Sequence, residues 1–249
     1  IQTATDSFSF TALYSSDRQT EENQLVEDIW KSVGHTLLPG ETNLPKEIKS
    51  EHQNAKPAWA KLLKEEPYRH SDSDHNGLLL LPGSFNPLHE GHEKMLTIAE
   101  QICDRKGAFE ISIRNADKPS LDFISIKNRL NQFKSRAVWL TNTPTFGEKS
   151  ALFPGATFAI GIDTVLRLGQ TRFYNNDPGL MEASFNNLIS NNARLLVFGR
   201  LEDDVFETLD TVSIPDQLRS QCEAVSEDLF RSDLSSTMLR QQLTEKPET

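Results

Sequence analysis

The sequence predicts an α/β fold: a Rossmann-like, doubly wound parallel sheet behind a mainly helical and irregular N-terminal extension. Three observations carry that expectation. A four-leucine run, Leu78-Leu79-Leu80-Leu81, is bounded by Gly77 and Pro82, as suits a short strand buried on both faces. Similar apolar runs then alternate with stretches of helical periodicity, the pattern of βαβ units. The residues just after several of these runs are polar and glycine-rich, and doubly wound sheets bind ligands at the carboxyl ends of their strands.

Taken in chain order, Leu25, Val26, Ile29, Trp30 and Val33 recur at helical spacing and predict an amphipathic helix over 17–35. The stretch 50–75 is rich in Lys, Glu, His and Pro and ends in Ser71-Asp72-Ser73-Asp74-His75-Asn76, which reads as a solvated connector. A strand is expected over 77–82, followed by a helix with Met95, Ile98, Ala99 and Ile102 on one face. Phe109, Ile111 and Ile113 alternate with Glu110, Ser112 and Arg114, a second strand. Further strands are expected over 137–140, 157–162 and 195–199, and helices near 125–135, 163–169, 179–190 and 235–243. This divides the chain into an extension over 1–76, a sheet domain over 77–243 and a tail over 244–249.

A chain of 249 residues suffices for one such domain with an appendage, and 14 Phe argue against wholesale disorder. No apolar run is long enough to span a bilayer, and no secretory h-region appears among the first residues given. It begins with Ile, so it is expected to be a processed form or a fragment of something longer. Cys103 and Cys222 lie in no metal-like spacing and read as reduced, buried small residues. That suits a cytoplasmic location, with a nuclear one left open. A net charge of −10 disfavours general nucleic-acid binding, which relies on neutralising many phosphates. It leaves room for one small anionic ligand held by local cations and backbone dipoles.

Such a ligand fits residues 83–92, Gly83-Ser84-Phe85-Asn86-Pro87-Leu88-His89-Glu90-Gly91-His92. Gly83 lets the chain leave its strand tightly and lets a phosphate approach the backbone. A helix starting near His89 would turn its free N–H groups and positive dipole end toward the same crevice. His89 and His92, three apart, share one helical face and can donate to phosphate oxygens; a cationic imidazole would add charge. A zinc-protease reading fails, because its two His must stand four apart with the Glu beside the first. A pair of histidines is more often structural or merely exposed; its place directly after an apolar strand favours phosphate.

Gly83–His92 resembles the GxFNPxHxGH signature of the nucleotidyltransferases that make NAD, or its deamido form, from a mononucleotide and ATP. Within that superfamily, Asn86-Pro87 is similar to the nicotinamide and nicotinate branch; cytidylyltransferases usually carry an Asp near there. Asp233-Leu234-Ser235-Ser236-Thr237-Met238-Leu239-Arg240 resembles the (I)SSTxxR motif that closes the same domain, with Leu234 for the usual Ile. Alone it reads equally well as a helix cap, with Arg240 rising along the face that begins at Ser236. Gly161-Ile162-Asp163 resembles the family's GxD element, and the strand ending in Gly199-Arg200 resembles its late strand. For Asp163 an N-cap role is as good a reading, and for Arg200 a surface one. In related enzymes a basic residue after the second strand contacts phosphate, and the resemblance implies Lys118 for that place, beside the alternative of an ordinary surface lysine. The helix at 17–35 faintly resembles the last helix of an amidase domain that hydrolyses nicotinamide mononucleotide.

The resemblance covers about 77–243 and implies adenylyl transfer from ATP, with Mg²⁺, to nicotinamide or nicotinate mononucleotide. Gly83, Ser84, Phe85, Asn86, Gly91, His89 and His92 would then hold the α-phosphate. Ser235, Ser236, Thr237 and Arg240 would hold the departing phosphates, and Lys118, Gly161, Asp163 and Arg200 the remaining substrate groups. No protein-held metal, nucleic-acid or membrane partner is expected, and oligomeric state stays open. Two alternatives stand beside it: a cytidylyltransferase-like enzyme with another phosphorylated acceptor, and a domain that binds or hydrolyses ATP without transfer.

Overall fold

The computed structural model describes residues 1–12, 18–37, 48–114, 119–202 and 205–230. In chain order the elements are β1 (Asp6–Ala12), α1 (Arg18–Leu37), β2 (Ile48–Asn54), α2 (Pro57–Leu62) and β3 (Arg69–His70). Then follow β4 (Leu79–Pro82), α3 (Glu90–Cys103), β5 (Ala108–Ser112), α4 (Phe123–Leu130), β6 (Val138–Thr141) and α5 (Phe146–Leu152). The chain continues through β7 (Thr157–Gly161), α6 (Ile162–Leu168), a 3-10 turn (Thr171–Tyr174), α7 (Pro178–Ser190) and β8 (Arg194–Phe198). Last come β9 (Arg200–Glu202), β10 (Val205–Glu207), α8 (Asp216–Arg219) and β11 (Cys222–Val225).

Seven strands form the main sheet in the order β11-β8-β7-β4-β5-β6-β3. All pairs are parallel except β3 with β6. From β4 the chain adds β5 and β6 on one side, then crosses back to add β7, β8 and β11 on the other. This is the doubly wound order expected, and it makes the carboxyl end of β4 the point where connections diverge. The alternation inside the leucine run explains the double covering. Leu79 and Leu81 join a cluster with Phe109, Ile111, Leu96 of α3 and Phe123 of α4. Leu80 faces the other way, among Phe158, Ile160, Phe146 of α5 and Leu188 of α7.

The expected strands and helices of residues 77–199 appear within a few residues of their predicted bounds. The α3 face differs in detail: Leu96 and Ala99 lie at its floor, Met95 and Ile98 flank them, and Ile102 is exposed. The helix predicted over 235–243 lies outside the described residues.

Upstream, the polar stretch 50–75 is more than a connector. Trp59 and Leu62 of α2 are buried in the same core as β4, with Trp59 stacked near Phe123 (6.3 Å). β3 closes the sheet along β6, and the Asn142 amide accepts from Tyr68 N–H and donates to the Lys64 and Glu66 carbonyls. Charge patterning hid this because one Trp and one Leu carry the burial. β1 and β2 pair antiparallel and pack on α4, where the Ser7 hydroxyl accepts from Phe123 N–H at 2.7 Å. α1 forms as expected; of its predicted apolar face Ile29 and Trp30 are exposed, Trp30 at 71%, and Val33 is half-buried, while Asp28, Ser32 and Thr36 are buried; the side chains of Leu25 and Val26 lie outside those described. The Thr36 hydroxyl is satisfied by the Ser32 carbonyl (2.9 Å), which lets a polar face turn inward. No helix of the described residues is long and apolar enough to cross a membrane.

Candidate active site

A cleft of ≈ 510 Å³ opens over the carboxyl ends of β4, β5, β7 and β8, where the sheet order reverses. Its size falls within the roughly 300–1,000 Å³ range of small-molecule sites. Of the residues singled out from sequence, Gly83, Ser84, His89, Gly91, His92, Gly161, Asp163 and Arg200 line it together. Phe85 and Asn86 do not. Lys118, Ser235, Ser236, Thr237 and Arg240 lie outside the described residues.

The Gly83–His92 loop is shaped from below. Phe85 takes a left-handed conformation (φ 44°), which drives its ring into the core against Phe109 (5.1 Å) and Phe133 (5.3 Å). A Cβ on Gly83 would stand 2.6 Å from that ring, so the space a side chain would need at 83 is filled by Phe85. The loop is also held from the side. Arg129 donates to the Ser84 carbonyl (2.6 Å), and the Gln132 amide bridges the Phe85 carbonyl (2.9 Å) and Leu88 N–H (2.8 Å). Gly83 N–H bonds back to the Glu110 carbonyl on β5 (2.9 Å), and the Asn86–Pro87 peptide is cis.

His89 caps α3 with extended backbone, so the helix begins at Glu90 and its N-terminal amides open toward the cleft. The two imidazoles stack at 3.7 Å, and the Phe85 ring meets His92 edge-on at 4.9 Å. His89 N–H points at His92 Nδ1 (3.3 Å), which assigns the His92 proton to Nε2. Burial, then the neighbouring His89, pushes the His92 pKa down from 6.5 to about 3, and burial lowers that of His89. In the free protein both rings are therefore neutral near pH 7. The expected cationic imidazole gives way to a neutral N–H donor, because the rings sit against aromatic core rather than beside a carboxylate.

Across the cleft, Gly161 precedes α6 and Asp163 occupies its first turn. A Cβ on Gly161 would crowd the Asp163 carboxylate at 2.6 Å and displace it. Asp163 Oδ2 faces Arg200 Nη1 at 3.8 Å, both partly open to solvent. Two motifs from different strands thus form one charged pair on the β7–β8 side.

Sequence reasoning missed the β5–β6 side. Glu110 and Lys149 both line the cleft, at 0% and 4% exposure, and form an ion pair of 2.6 Å. The Thr141 hydroxyl also donates to Glu110 Oε1, while Oε2 has no partner among the described residues. Alternation had placed Glu110 on the polar face of β5, an available signal; nothing in the sequence linked it to Lys149. Arg167 of α6 and Phe230, which packs on Phe198 (5.1 Å), complete the wall. Trp139, Phe153 and Phe158 lie away from the cleft, whereas Phe146 lines it.

A reversal-point cleft floored by a glycine turn and a helix N-terminus defines an α/β domain suited to a phosphorylated ligand. The family model described as cytidylyltransferase-like matches residues 80–242, and the chain belongs to that family, within the nucleotidyltransferase superfamily. Comparison with curated proteins and with solved structures found no match.

Proposed function

We propose that the chain transfers AMP from ATP to nicotinamide or nicotinate mononucleotide, giving the dinucleotide and pyrophosphate. The observation that carries this reading is the Gly83–His92 loop, whose neutral His92 presents an Nε2–H donor beside a helix N-terminus. An oxygen of the mononucleotide phosphate attacks the α-phosphorus of ATP. The new P–O bond forms as the α–β bridging bond breaks, and the electron pair leaves with pyrophosphate. The attacking oxygen is already ionised near pH 7, so no general base is needed, and positioning carries the step. His92 and His89, with the α3 amides, would meet the α-phosphate oxygens as charge gathers on them.

Phe230 brings the chain to the cleft wall five residues before Ser235. Ser235, Ser236, Thr237 and Arg240 are accordingly assigned the departing β- and γ-phosphates, and Lys118 the acceptor phosphate. Asp163 and Arg200 are assigned the sugar and base side of ATP. Among the described residues no group of three or more His, Cys, Asp or Glu could hold a metal. This donor set fits Mg²⁺ as an ion carried by the triphosphate, with Asp163, among the described cleft residues, the one carboxylate not tied up by a buried cation. Bound there, Mg²⁺ would neutralise phosphate charge and orient the leaving group.

The family description itself favours a second reading, CTP in place of ATP with another phosphorylated acceptor. One assay separates them: each triphosphate with Mg²⁺ and each acceptor in turn, with product mass and pyrophosphate measured. ATP with a pyridine mononucleotide is expected to give dinucleotide. Product from CTP alone, or ATP hydrolysis without transfer, would overturn the proposal.

A further inference from the structure

The ion pair at the β5–β6 side does no work in that mechanism. Glu110 is fully buried, and both Thr141 and Lys149 crowd onto Oε1, leaving Oε2 without a donor among the described residues. Folding normally provides a partner for every buried polar oxygen, and an unfilled one is costly. A purely structural pair would be expected to spread its two donors over both oxygens. Glu110 is one of the residues lining the cleft, with Ser112 and Phe146, on the side of β4 opposite Asp163 and Arg200, and its unpartnered oxygen is buried in that wall. The vacant acceptor thus belongs to the half of the cleft left for the second substrate.

We infer that Glu110 is a specificity-determining residue that selects an acceptor carrying a carboxamide over one carrying a carboxylate. The inference rests on the adenylyl-transfer reading above. A carboxamide offers N–H donors and no charge, so one N–H can fill Oε2. A carboxylate offers only acceptors and would face the Glu110 carboxylate directly. Lys149 does not rescue it, because its ammonium is already neutralised by Glu110 at 2.6 Å, and a further anion would be buried without a counter-charge. Lys149 and Thr141 act here as positioning residues that fix the Glu110 rotamer.

The test is kcat/KM for nicotinamide and nicotinate mononucleotides, in the wild-type chain and in Glu110→Gln, with the KM for ATP followed in parallel. The wild type is expected to prefer the amide by at least about tenfold, the cost of leaving a buried acceptor unfilled. In Glu110→Gln the amide should lose about that factor while the acid gains, since Gln can donate and Lys149 is freed; the KM for ATP should hold. Should the single variant fold poorly, Glu110→Gln/Lys149→Met restores neutrality and should bring the two acceptors close to parity. Equal loss for both acceptors, or a wild type indifferent between them, overturns this inference and leaves adenylyl transfer standing. A wild type that uses neither acceptor overturns both.

Discussion

At the β4 end of the cleft the groups that face a ligand are neutral, stacked and backed by aromatic core. At the β7–β8 end they are formally charged and partly open to water. His92 is fixed by the Phe85 ring, by His89 and by a backbone N–H. Asp163 and Arg200 meet at 3.8 Å without a hydrogen bond between them. The difference teaches how the work is divided. Stabilising a transient charge needs donors that do not reorganise, and burial supplies that rigidity. Attracting a triphosphate from solution needs field, and exposed charge supplies it at the expense of salt sensitivity.

Three variants would break or sharpen that contrast. The largest effect is expected from Phe85→Ala, which empties a fully buried site beneath the loop. Stability should fall by about 3–5 kcal/mol, read from urea unfolding, and turnover should fall with it as His92 loses its backing. A loss within the range of a surface substitution would show that the loop is not held from below.

His92→Asn comes next. Turnover should drop by about 10²-fold with little change in ATP affinity, as when one donor to a transition-state oxyanion is removed. Stability gives an independent readout. The folded His92 titrates at about 3 and the unfolded one near 6.5. Between those values the unfolded chain holds a proton that the folded chain does not, so stability rises with pH across that window and is eroded as pH falls through it. His92→Asn should flatten this slope; an unchanged slope would mean that the ring is not buried in solution.

Arg200→Gln should matter least to the fold, by under about 1 kcal/mol, because exposed ion pairs contribute little. Under the proposed adenylyl transfer its effect should fall on ATP: a higher KM whose dependence on salt is weaker than that of the wild type. Equal salt dependence would place the steering charge elsewhere, as on Arg167, another cation among the described cleft residues.

Much of this was legible in the sequence, and the reason is local. The leucine run, the β5 alternation and the Gly83–His92 loop each encode their role within about ten residues, the span over which periodicity and turn chemistry operate. What stayed hidden depends on contacts between distant segments. Glu110 meets Lys149 only because α5 lies across β5, and Gln132 and Arg129 reach the loop only because α4 packs beside it. Ile29 and Trp30 of α1 are exposed for a related reason: helical spacing shows which residues share a side, not which side turns inward. Burial of Asp28, Ser32 and Thr36 follows from what packs there, not from hydropathy.

The two-residue strand β3 has a consequence for handling the protein. By pairing Arg69 and His70 with Thr141 and Leu140, it shields the outer rim of β6, whose backbone groups would otherwise stand open as a template for another chain. A version trimmed to begin at Gly77 would lose that guard along with the Trp59 cover over Phe123, and adhesion between molecules would follow. The polar residues upstream of Gly77 thus cover one rim of the sheet.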